Sequence, residues 1–134
     1  MIGPGEHDLQ TLLRKCDPIL HQDEFMFVHI PINETPPGVK AHASCRELEG
    51  TTLIMKRDEA ERSGLLGTFP CRMISLNIHS ALDAVGFLPP VLASLASRGI
   101  PANVVSGFYH DHLFVPSGRE DEALQALREL ATKR

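Results

Sequence analysis

Tryptophan is absent from this 134-residue chain, tyrosine occurs once, and no stretch carries a marked excess of positive charge. Thirteen Lys and Arg against seventeen Asp and Glu leave a formal charge of −4. Phosphate affinity comes from a basic stripe, so its absence excludes nucleic acid as an expected partner. No apolar run approaches the roughly 20 residues needed to span a bilayer, which excludes a membrane partner on the same terms. Met1 to Asp8 has neither the cationic start nor the apolar stretch of a secretory leader, so the expected location is cytoplasmic. Cys16, Cys45 and Cys71 are widely spaced and form no CxxC pair. In a reducing compartment they read as free thiols, without a disulfide framework, a zinc site or any other cofactor. What is present is ordinary for a globular chain: 43% hydrophobic and 22% charged residues, which excludes disorder. At about 150 residues per domain, the length fits one compact domain or two very small ones.

Ten prolines and ten glycines predict many turns. Leu9, Leu12, Leu13 and Cys16 lie on one face of a helix that Asp8 caps and Asp17-Pro18 ends. Glu24 to Ile30 reads as a strand, and Pro31 to Lys40 as an irregular loop. Ala43 to Leu48 and Thr51 to Arg57 form a hairpin about Glu49-Gly50, with a short helix after it. Asp58 and Glu61 have capping-box spacing there, and Gly64 closes the helix. Cys71 to Ile78 alternates a mainly apolar face with a mixed one, as in a sheet covered on one side. After a loop from His79 to Gly86, a helix begins near Phe87, because Pro89 and Pro90 are tolerated only in a first turn. Ala102 to Tyr109 and His112 to Val115 are strands about a turn at His110-Asp111. Ser117 and Glu120 suggest a capping box for the last helix, whose apolar stripe is Ala123, Leu124, Leu127, Leu130 and Ala131.

A faint repeat pairs Leu53-Ile54-Met55 and Asp58-Glu59-Ala60 with Leu113-Phe114-Val115 and Asp121-Glu122-Ala123. Two β-α units of like construction follow, in an α+β fold of two ferredoxin-like (βαββαβ) halves that share the segment Leu66 to His79. Their sheets are antiparallel, with helices on one face.

The run Ile74 to Gly86 (ISLNIHSALDAVG) resembles the first strand and loop of an ACT domain, and Gly99 to Val105 (GIPANVV) its second strand. With "NVVSGFYHDHLFVP" and "REDEALQAL", the chain resembles small bacterial proteins built from tandem ACT units. These are related to the regulatory part of aspartate kinases but carry no kinase. The resemblance covers Leu9 to Leu130 and divides the chain into an N-terminal unit, 1–68, and a C-terminal ACT domain, 69–134. It implies a non-catalytic regulatory or sensor module that binds an amino acid and associates as a homodimer. The implied ligand-binding residues are His79, Ser80, Ala81, Leu82, Asp83, Ala84, Val85 and Gly86 in the loop, and Asn103, Val104 and Val105 on the second strand. Backbone N–H groups before a helix can hold a carboxylate without Lys or Arg. Gly86 would allow close approach, and Val there would block it. The chain departs from the family at Pro89-Pro90, which donate no N–H, so such a site draws on donors from about Ala84 to Leu88.

Alternative readings stand beside these. Asp83 pairs with a ligand ammonium or caps the helix, and Asn103 contacts ligand or pairs across the sheet. His110 and His112 could ligate a metal with His79 or Cys71, giving a His-rich metal-dependent enzyme. Against this, they straddle a predicted turn in which Asp111 is favoured for local hydrogen bonds. Ser80 with His79 and Asp83 or Asp111 could form a nucleophile and base, but no Gly-x-Ser-x-Gly elbow surrounds it. Finally, the sheets could pair with another protein around an empty loop, as a structural interaction module.

Overall fold

The computed structural model describes residues 5–34 and 38–132. They form two compact units: one holds residues 22–72, and the other joins residues up to 21 with those from 73 onward. The helices are α1 (Leu9–Arg14), α2 (Arg57–Arg62), α3 (Leu88–Ala96) and α4 (Glu120–Thr132). The strands are β1 (Pro18–Pro31), β2 (Ala43–Glu47), β3 (Gly50–Lys56), β4 (Gly67–Leu76), β5 (Asn103–Ser106) and β6 (Asp111–Pro116). Within the 22–72 unit the strand order is β2-β3-β1-β4, and within the other it is β1-β4-β6-β5. Both are the ferredoxin-like order, in which the first and third strands lie in the middle and the last flanks the first. β1 and β4 each run through both units. β1 is the first strand of the 22–72 unit and the last of the other, and β4 has the converse role.

This sharing explains where β1 exceeds the predicted strand. Its first residues carry Leu20 against the core of the N- and C-terminal unit. Phe25, Val28 and Ile30 are buried in the 22–72 unit. The polar His21-Gln22-Asp23-Glu24 falls where the strand leaves one core for the other, and it hides the continuity from a hydrophobic pattern. Residues 73–76 of β4 are buried on both faces, Ser75 included, which corrects the expected half-covered strand.

The N- and C-terminal unit packs Leu12 and Cys16, Val91 and Leu95 of α3, and Ala123, Ala126 and Leu127 of α4 onto Ile74, Leu76, Leu113 and Val115. In the 22–72 unit, Ala60 of α2 closes a core of Val28, Ile30, Leu53 and Met55. Ala60 and Ala123, matched in the sequence repeat, are both fully buried where a helix returns over a strand. Asp8 caps α1 as predicted, accepting from Thr11 N at 3.0 Å.

Both predicted capping boxes fail. α2 starts at Arg57, two residues before a helix capped by Asp58 would, so Asp58 accepts from the adjacent Glu59 N and pairs with Arg62 at 3.6 Å instead of capping. α4 starts at Glu120 after Gly118 (φ +97), and Ser117 Oγ is buried without a partner among the described residues. The β2-β3 loop is Leu48-Glu49, which places Gly50 inside β3 opposite Pro31.

Burial, then the charge of Glu24, pushes the Cys71 thiol up to about 12, and burial also raises Cys16. Cys45 is exposed on β2. Thiolate is the reactive form, so one thiol per folded chain will react within minutes with a disulfide reagent at pH 8, and all three after denaturation. Two fast thiols would contradict the burial of Cys16 or Cys71.

Candidate functional site

The 79–86 loop is fixed at its start by the N-terminal segment. Glu6 N donates to His79 O at 2.7 Å, and Ala81 N donates to Glu6 O at 2.9 Å. The N–H groups of Ala81 and Ala84 are therefore engaged, the latter with Ala81 O at 3.0 Å. Pro89 and Pro90 remove two more first-turn donors of α3, leaving those of Phe87 and Leu88.

A cavity of 160 Å³ opens between this loop, the start of α3 and the facing ends of β5 and β6. Of the implied ligand residues it is lined by Ser80, Ala81, Leu82, Ala84 and Gly86. His79 lies outside it, with its ring 5.0 Å from that of Tyr109 and 5.9 Å from that of Phe108. Val85 points to solvent at 87% exposure. Asp83 neither caps α3 nor lines the cavity: its carboxylate lies 2.6 Å from His7 Nε2. That hydrogen bond lowers its pKa, so any stabilisation is present above the ordinary carboxylate value and is lost as pH falls through the lowered one. Both groups are exposed, so the gain is small. On β5, Asn103 pairs with Phe114, Val104 packs against the core, and Val105 pairs with His112. None of the three lines the cavity, whereas Ser106 of the same strand does.

Asp111 also lines it. The hairpin turn runs from Gly107 to His110, closed by Gly107 N to His110 O at 2.8 Å, so Asp111 is a strand residue and not part of the turn. It is 7% exposed and accepts from Ser80 Oγ at 3.0 Å. The Ser80 hydroxyl thus meets a carboxylate directly, with no imidazole between them. His112 Nδ1 lies 2.6 Å from Ser75 Oγ, which is also 2.7 Å from His21 Nε2. That hydroxyl has one proton, so it can donate to only one of the two rings. Among the described residues no group of three or more His, Cys, Asp or Glu is placed to hold a metal ion.

Gly86 has φ +89, but a Cβ there would meet nothing within 4 Å. A side chain there is free of protein neighbours, so within the fold the substitution acts through backbone strain. Gly86→Val should cost about 1–3 kcal/mol of stability, read as a lower melting temperature. An unchanged melt would show that the loop relaxes freely.

Two ACT-domain family models match the chain, over residues 4–72 and 68–129. No curated protein matches. A protein of unknown function from Vibrio cholerae is 35% identical over 92% of this chain and 95% of its own, with a TM-score of 0.81. An Agrobacterium tumefaciens protein is similar at 18% identity, 85% and 87% coverage and TM-score 0.73. The regulatory subunit of aspartate kinase from Thermus thermophilus matches at 13% identity, 84% and 95% coverage and TM-score 0.66. At these last two identities the likeness is one of fold. Sequence and fold together place the chain in the ACT-domain family, as two ACT units in tandem.

Proposed function

We propose that this chain is a non-catalytic regulatory module of the ACT type that binds a small molecule, an amino acid, at the 79–86 loop. The observation that carries this is the cavity of 160 Å³, which gathers five loop residues with Ser106 and Asp111. Regulatory neighbours of the same fold support the class, and so does a Ser80 hydroxyl that meets the Asp111 carboxylate with no imidazole between them. The two family repeats divide near 68/69, which the overlap of the two family matches supports. β5 ends the strand order of its unit, and an unpaired edge favours association, so we assign a cytoplasmic homodimer. The test is calorimetric titration of the twenty amino acids, with light scattering for the mass. Binding below about a millimolar Kd, or −4 kcal/mol, supports the reading, and its absence for all twenty overturns it. A second reading, a protein-interaction module, is favoured by the exposure of Leu82 (69%), Val85 (87%) and Phe108 (54%). It takes over if the titrations are silent.

A further inference from the structure

The ten residues around the 160 Å³ cavity include one ionisable side chain, Asp111, and two hydroxyls, Ser80 and Ser106. Its carboxylate is more than nine-tenths buried. Ser80 Oγ satisfies one oxygen at 3.0 Å, and no Lys, Arg or His forms an ion pair with it among the described residues. A buried carboxylate is costly unless a cation or further donors reach it. The opposite provision, for a ligand carboxylate, is thin. No cationic side chain lines the cavity, Ala81 and Ala84 N–H groups are already bonded, and Pro89 and Pro90 have none to give, which leaves only the N–H groups of Phe87 and Leu88 at the start of α3. Charge and donor supply therefore point the same way.

We infer that the site selects its ligand through a primary ammonium group held by Asp111, and that the ligand's carboxylate is dispensable. This rests on the small-molecule reading above and narrows its ligand class. The ammonium has three N–H donors: one meets the second oxygen of Asp111, and Ser106 Oγ, on the opposite strand of the hairpin, is placed to take another. Ser80 keeps the carboxylate oriented by donating to its other oxygen. The cavity volume, about five waters' worth at roughly 30 Å³ each, limits the ligand to a small amine or amino acid.

The experiment matches each small amino acid with its primary amide, which keeps the ammonium and loses the carboxylate. Each is also matched with its desamino acid, which does the reverse. All are titrated calorimetrically against the full chain and against Asp111→Asn, which still offers Ser80 an acceptor. Amides should bind within about threefold of their amino acids, and desamino acids about ten- to a hundredfold more weakly, as expected for loss of a charge-assisted bond. Asp111→Asn should weaken amino acids and amides by the same factor. Desamino acids that bind as well as amino acids, or an Asp111→Asn chain that binds amides unchanged, would overturn this inference and leave the module reading standing. Silence from all three series overturns both. If Asp111→Asn does not fold, the amide and desamino series in the unaltered chain decides alone.

Discussion

Residues 69–134 expressed alone should fail to fold, and so should residues 1–68. Each holds three strands of a ferredoxin-like sheet whose fourth lies beyond the cut. For the C-terminal fragment the loss is the start of β1 together with α1. Leu12 and Cys16 are then removed from the core entirely, and Leu9, Leu13 and Leu20 from its margin. At about 1.5–3 kcal/mol for each buried aliphatic side chain, the deficit approaches the 5–15 kcal/mol that keeps a domain folded. The N-terminal fragment loses nearly all of β4, including buried Cys71. The expected results are a collapsed amide proton spectrum and no cooperative melt for either fragment, with both recovered when the two are co-expressed. A dispersed spectrum from 69–134 alone would mean that its sheet closes without β1.

Gly50→Ala is the point substitution with the largest expected cost. Gly50 sits in β3 at φ +145, opposite Pro31 of β1, and a Cβ would come within 2.0 Å of Ile30 O. No rotamer relieves a clash between a Cβ and a carbonyl oxygen, so the β1-β3 pair must part locally. Backbone strain adds about 1–3 kcal/mol. Together these predict a loss of about 3 kcal/mol or more, which lowers the melting temperature by about 10 °C. Gly64→Ala is the control: φ is +69, but the space around it is open. It should cost only the dihedral preference, about 1 kcal/mol. Equal effects for the two would remove the steric argument.

These two sites also mark how far the residues could be read in advance. The helix capped by Asp8, the prolines in the first turn of α3 and the stripe of α4 are local patterns, and each appears where the spacing placed it. Gly50, read as a turn residue, is a strand residue because register depends on the partner strand. The polar start of β1 was hidden for the same kind of reason. In the candidate site, the loop was legible from its own residues and its family resemblance. Asp111 was assigned to turn chemistry because an Asp between two histidines carries no trace of a buried Ser80 hydroxyl 31 positions away. Nor could any short window show Glu6 bracing the loop at His79 and Ala81.

The strands shared by the two units also set an order of events during synthesis. The 22–72 unit is contiguous, so it can close soon after its last residue leaves the ribosome. α1 emerges before it, yet its partners on β6 and α4 come last. At about 5–20 residues per second, the apolar face of Leu9, Leu12 and Leu13 waits roughly 5–20 s in solvent for the strands and helices that will cover it. During that interval the nascent chain exposes a short apolar segment that a chaperone can hold. Slowing elongation after residue 72 should therefore lengthen chaperone contact with α1 without delaying closure of the 22–72 unit.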